Sequence, residues 1–426
     1  MRTLAVLSLY VCLGSAETLT LSQALEQAAA QNPNVQMARL RVLEARSLAA
    51  SRHSEYLPQI NVTVATAYQT NNLQGIGLAF PGLSSRLGPY RTFNARPVVS
   101  QTILDLSLLS SIRASRLRET AAEQDVEALR EDTQAAVVGA YLQVFQAQSR
   151  LAAAQARLRF AEALLAQTTD LEQAGRASKL DLARQQQRRE IEQLAVITAQ
   201  QETDALLPQI AELIGRASST GLELAPPTPA PFTGSAASVV AAAQSTRPDL
   251  AALKTRVAAA EQELARTRRE RLPKVTGLAD YGLLGVGPDR SIGTWNVGAA
   301  VTIPLWTSGR LENEAKAAGH RVAQAKLEIE RLQLAVQRQA SQAWIDYEAS
   351  LAATTTATRS IAAAKQILEL AQLRYQSGLA TTIDTVTAQA NVAEADDALI
   401  RSRYAALLAQ ARLAAASGDV RSFLLR

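Results

Sequence analysis

The chain has 426 residues, 47% of them apolar and only 4% aromatic: room for two or three domains, but few large rings to fill their cores. Its 44 basic and 39 acidic residues interleave to a formal charge of +5, and the longest basic cluster is Arg266-Thr267-Arg268-Arg269, so no nucleic-acid-binding block is present. Two histidines, His53 and His320, and one cysteine, Cys12, leave no basis for a Cys/His zinc site or a Cys–His nucleophile, and no GxxxxGK(S/T) or strand-to-helix GxGxxG loop occurs.

Residues 1–16 read as an export signal. Met1-Arg2 gives the positive start, Leu4 to Leu13 the apolar run, and Gly14-Ser15-Ala16 the small residues at a cleavage site. Cys12 would leave with it, so the exported chain uses no disulfide. No later apolar run is long enough for a transmembrane helix.

The first repeat is expected over 17–215. A helix near 20–56, capped by Thr20 or Ser22, stops before Pro58. A hairpin over 59–103 follows. Ile60, Val62, Val64 and Tyr68 alternate with Asn61, Thr63 and Gln69; Phe93, Ala95, Val99 and Ile103 alternate with Thr92, Asn94, Arg96 and Ser100. That period of 2 marks strands with one apolar and one wet face, of a length that suits a tilted bilayer span. From Asp105 to Gln173 there are 69 residues without proline, a helix of ~100 Å. Val137, Val144, Leu151, Leu158 and Leu165 recur every seven residues, with Ala140, Ala147, Ala154 and Ala161 three behind, a large/small heptad that lets helices approach closely. The rod ends at a tip, Gly175, and a second helix returns to Gly215; Pro208 is expected to kink it or end it early.

A linker rich in Pro, Ser, Thr and Gly covers 216–234, and a second repeat covers 235–418, with a hairpin at 274–305 and its tip at Gly378. A tail, 419–426, closes the chain. The repeats align residue by residue: Pro33-Asn34-Val35 with Pro248-Asp249-Leu250, Leu57-Pro58 with Leu272-Pro273, Gln173-x-Gly175 with Gln376-x-Gly378, and Leu180-Asp181 with Ile383-Asp384. The offset shifts from 215 to 203, which places about a dozen extra residues in the loop at 71–89. Tyr68, Tyr90, Tyr281, Trp295 and Trp306 fall near strand ends, as candidates for an aromatic girdle. Four strands cannot close a barrel alone, and a channel favours 12 strands or more, so self-association is expected. The fold expected is a mixed α/β membrane protein built by internal duplication.

This order of features resembles the TolC-like outer-membrane factor family. The resemblance covers essentially the whole exported chain. It rests on the paired repeats, on Ile303-Pro304-Leu305-Trp306 leading into Ser308-Gly309-Arg310, and on Arg374-Tyr375-Gln376-Ser377-Gly378-Leu379 followed by Asp384. It implies a homotrimer in the outer membrane of a Gram-negative bacterium, with a 12-stranded barrel in lipid and a long periplasmic α-helical barrel. It also implies a periplasmic adaptor and an inner-membrane pump as partners. At the tip it implies a gate, with Tyr375 as lock tyrosine, Asp181 as its partner and Asp384 as a pore carboxylate. Two positions depart from the family pattern: Ala380 stands where the lock arginine would be, and Thr387 where a second pore aspartate would be. The adaptor is expected at Ala174, Gly175, Arg176, Ser377, Gly378 and Leu379.

The function expected is a duct for efflux or type I secretion, with no catalysis, cofactor, metal or nucleic acid. The alternative is a structural periplasmic coiled-coil protein whose strands form a soluble cap. Met37 is the one methionine beyond residue 16, which gives a metal-efflux specialisation no support.

Overall fold

A computed structural model describes residues 17–77, 85–229, 232, 234–377, 379 and 382–424; the export signal, Gly378 and Ala380 lie outside them. In order the elements are β1 (Glu17–Leu19), α1 (Leu21–Gln31), α2 (Pro33–Ser54), β2 (Gln59–Asn72), β3 (Arg86–Leu104), α3 (Leu106–Gln173), α4 (Lys179–Leu213), β4 (Leu222–Leu224), α5 (Ala236–Thr246), α6 (Pro248–Arg269), β5 (Lys274–Gly285), β6 (Ser291–Thr302), α7 (Arg310–Gln376) and α8 (Thr382–Ala416). They are joined by short 3-10 turns, the last at Val420–Phe423.

One expectation is corrected, and two others become more definite. The opening helix is two helices, broken at Asn32 (φ −59°, ψ 127°) before Pro33, and the second repeat breaks at the same place, at Arg247 (ψ 123°) before Pro248. Proline's ring drives the residue before it out of the helical region. Asn32 then caps α2 by accepting from Asn34 N at 2.9 Å, while its amide donates to the Leu213 carbonyl at 2.9 Å. Within the linker, β4 pairs in parallel with β1, Glu17 opposite Leu222. Of the two outcomes expected at Pro208, an early end is excluded, because α4 runs on to Leu213.

The chain folds as two compact units, each drawn from both halves of the sequence. One (40–123 and 251–330) holds the antiparallel sheet, in strand order β2-β3-β5-β6. Two hairpins meet along β3 and β5, leaving β2 and β6 as edges. Ile60, Val99, Ala279 and Val297 line up across all four strands, one row of the apolar face foreseen from the alternation.

The other unit (17–39, 124–250 and 331–424 of the described residues) is helical apart from β1 and β4. Its main core packs Leu21 and Leu25 of α1 against Val137, Tyr141, Leu142 and Val144 of α3, with Ile210 of α4 and Phe423 closing it. Tyr141 is fully buried, and its hydroxyl meets the carbonyls of Leu19 (2.9 Å) and Ala225, tying the C-terminal ends of both β1 and β4 to α3. Burial pushes this phenol up to about 12. A second core joins Val239 and Ala243 of α5 to Val336 and Ala340 of α7, and a third, smaller one joins Ile361 of α7 to Leu399 of α8. Side chains shrink along α3. The buried residues at seven-residue steps are Ala140, Ala147, Ala154 and Ala161, and the next step is Thr168.

Candidate functional site: the exposed sheet and the helical tips

The sheet exposes its apolar face. Ile60, Val62, Val64 and Tyr68 of β2 are 67–79% exposed, and Trp295 and Val297 of β6 nearly as much. Leaving a contiguous row of such side chains in water is costly, and lipid removes the cost. Tyr281 and Trp295 stand directly opposite each other on this face, and Trp306, 86% exposed, follows β6 at the sheet's other end. Tyr90 departs from the girdle expectation: it pairs with Gln69 on the polar side, where its hydroxyl accepts from the side-chain amides of Gln69 and Asn71.

The polar face holds a cluster that the alternation alone does not reveal. Arg96 Nη1 lies 2.7 Å from Asp280 Oδ1, its Nε donates to Asn94 at 2.6 Å, and Nη2 reaches Thr294 at 3.4 Å. The guanidinium thus joins β3, β5 and β6 at the seam between the hairpins. Pairing there passes from Ala95↔Leu283 to Val98↔Asp280 around Pro97, which has no N–H to give. Gly282 lies within this stretch. A Cβ on it would stand 2.3 Å from the Arg96 Cβ and 2.4 Å from the Ala95 carbonyl oxygen.

Each tip is a helix reversal. Gly175 takes φ +70°, and the carbonyls at the end of α3 are closed by Gly175 N to Glu172 O (2.9 Å) and Arg176 N to Leu171 O (2.7 Å), a Schellman cap. The long-range bond of the same motif recurs at the second tip, from Leu379 N to Arg374 O at 2.8 Å. Ala174, Gly175, Arg176, Ser377 and Leu379 are exposed, as are the neighbouring Leu180 and Ile383.

The gate candidates fall into separate surroundings. Asp181 caps α4: its N–H donates to Ser178 Oγ at 3.1 Å, Ser178 Oγ donates back to its carboxylate at 2.6 Å, and Arg184 stands 3.7 Å from its other oxygen. Tyr375 borders a cleft of about 170 Å³ shared with Gln167, Gln372 and Thr385. Asp384 is exposed in the first turn of α8. Thr387, also exposed, donates to the Ile383 carbonyl at 2.9 Å and lines a groove with Arg184 and Arg188 of α4. Arg184 therefore links the surroundings of Asp181 and Thr387. Its position three residues after Asp181 is the sequence signal that could have found it.

Behind these groups the bundle is polar. Thr168, Gln185, Thr385 and Gln389 are buried, and Gln185 has neither side-chain polar atom hydrogen-bonded. The Thr385 hydroxyl and the Gln389 amide nitrogen are also unpartnered. Glu192, 5% exposed, sits between Arg157 (3.2 Å) and Arg188 (2.6 Å).

Hairpins with a lipid-suited face, each followed by a long helix of 68 or 67 residues that reverses at a tip, define the subunit fold of TolC-like outer-membrane channels. The chain belongs to the outer membrane efflux protein family, whose model matches residues 24–216 and 239–419. It is similar to the outer membrane efflux protein BepC of Brucella suis, 25% identical over 421 residues (94% of this chain, 85% of that protein). It is also similar to the pyoverdine export outer membrane protein OpmQ of Pseudomonas putida, 26% identical over 422 residues (93% and 85%). Among solved structures it shares its fold with the Campylobacter jejuni outer membrane channel CmeC, with a TM-score of 0.80 at 18% identity, covering 93% of this chain and 85% of that one. The protein is thus an outer-membrane protein of a family of efflux channels, not of enzymes.

Proposed function

We propose that three copies of this chain close a 12-stranded barrel in the outer membrane and continue it as a periplasmic α-helical barrel. The assembly passes substrates from an inner-membrane pump and a periplasmic adaptor to the exterior. The observation that carries this reading is the four-stranded sheet, whose edges β2 and β6 are free for strand pairing and whose apolar face is exposed. A free edge in lipid leaves backbone groups without partners, and only closure satisfies them all. Export of pyoverdine, in the name of OpmQ, supports transport outward. The repeated element order, with one family model matching twice, supports descent by duplication, with repeats at 17–215 and 235–418. Crosslinking, or mass measurement in mild detergent, is expected to give three chains; a stable folded monomer would overturn the proposal.

At the tips, Ala174, Gly175, Arg176, Ser377, Gly378 and Leu379 meet the adaptor. The exposed Leu180, Leu379 and Ile383 supply apolar contact there. Asp384 forms a ring of three carboxylates at the resting pore, with Tyr375, Asp181 and Thr387 around it. Gathered like charges favour cations. In planar bilayers Asp384→Asn should lower cation selectivity and weaken block by trivalent cations added from the periplasmic side. Wild-type values for both would remove Asp384 from the constriction.

A further inference from the structure

One cleft in the helical unit is shaped for something the duct reading does not use. It encloses about 280 Å³, close to the lower size of small-molecule sites. All four helices of the bundle contribute: Phe160 from α3, Glu192 from α4, Leu368 from α7, Gln389 and Val392 from α8. Small residues at 153, 156, 161 and 393 leave the space open, and Phe160, Leu368 and Val392 give it an apolar wall.

The polar side of the cleft carries a buried donor and an excess of one positive charge. Gln389 is 9% exposed and its amide nitrogen has no acceptor, yet it lines the cavity. A buried donor of this kind is relieved by an acceptor that enters with a ligand. Three cations, Arg157, Arg188 and Lys365, face two carboxylates, Glu192 and Asp396. Glu192 is shared by two arginines, so the lining keeps a net charge of one positive with Asp396 counted, and the exposed Lys365 ammonium is the cation not engaged by Glu192.

We infer that this cleft binds a small aromatic carboxylate, the ring against Phe160, Leu368 and Val392 and the carboxylate between the Gln389 amide and Lys365. The ligand touches α3, α4, α7 and α8 at once. Bound there it bridges the four helices.

The probe is 1-naphthoate, measured by equilibrium dialysis against the full-length protein in detergent, with micelle uptake subtracted. Saturable binding of one molecule per chain is expected. The uncharged analogue 1-naphthylmethanol should bind about tenfold more weakly, because a charge-assisted contact is lost. Gln389→Leu should weaken naphthoate by about tenfold while keeping the fold, since it removes a buried polar group that is already unsatisfied. Ala156 is exposed, so Ala156→Trp should fill the cleft from its rim, without entering the packed core, and abolish binding. Absence of saturable binding, equal binding of acid and alcohol, or unchanged affinity in Gln389→Leu would each overturn the inference. Conductance of the ligand-free channel reports on the duct separately, so either reading can fail alone.

Discussion

Tyr141 shows how much a single residue fixes in the helical unit. Its one hydroxyl meets the carbonyls of Leu19 and Ala225 inside the largest core. Tyr141→Phe keeps the ring packing and leaves the Ala225 carbonyl without its donor, while Leu19 O still accepts from Ala225 N at 3.0 Å, so it should cost ~1 kcal/mol in denaturant unfolding. Glu131, half-buried on α3, accepts from the Val420 N–H at 2.9 Å. Burial raises its carboxyl above the ordinary 4.5, and nearby Asp419 adds to the shift. Its folded form therefore holds a proton more tightly than the unfolded chain does. Stability gains from this group as pH falls through the window just above 4.5, and the penalty stands in full at neutral pH. Glu131→Gln can still accept from Val420, so it should raise the neutral-pH unfolding temperature and flatten the acid-side gain in a thermal-unfolding series. In the sheet, Gly282→Ala would drive a Cβ into Arg96 and should sharply reduce the yield of folded oligomer in purified outer membranes. The wet-face positions of Arg96 and Asp280 were legible from alternation. Their contact was not, because it depends on the register between strands 184 residues apart in sequence.

Elements were legible where a period ran long enough to count. Ten or more alternating residues located all four strands of the sheet, and a heptad located α3 with its alanine column. The three-residue β1 and β4 have no period to read, so they were not legible. Pro33 and Pro248 were visible, but α1/α2 and α5/α6 show that a proline at a first helical position divides two helices rather than sitting inside one. The tips were legible as glycines, while the polar layer behind them was not, because Gln185 and Gln389 look like surface residues in a glutamine-rich chain. At the first tip, Gly175→Val would force φ +70° on a β-branched residue. It should abolish export while leaving oligomer insertion intact, as read by efflux assay and by heat-modifiable migration. Normal export would count against the tip as the adaptor contact.

On the scale of the whole molecule, the cores are graded. The main one carries Val, Leu, Tyr and Phe; the third carries mostly alanine with Ile361 and Leu399; the tip layer carries polar groups without partners. Local opening follows the weakest packing. Amide exchange should therefore be fastest around Gln185 and Thr385 and slowest around Val137 and Ile210. A reversed order would mean that the tip draws its stability from contacts beyond the single chain.

The two compact units ignore the boundary between the halves. Ala411, Ala414 and Phe423 from the end of the chain complete the core that Leu21 begins, and β3 of the first half pairs with β5 of the second. The second half holds the two smaller cores whole, but the main core and the β3–β5 seam of the sheet need both halves, so a gene cut within the segment after Ala225 would encode two fragments that share one core and one sheet between them. Produced separately with export signals, the fragments should be degraded. Produced together, they should find each other and restore the protein, because what joins the halves is their shared packing and not the peptide bond between them.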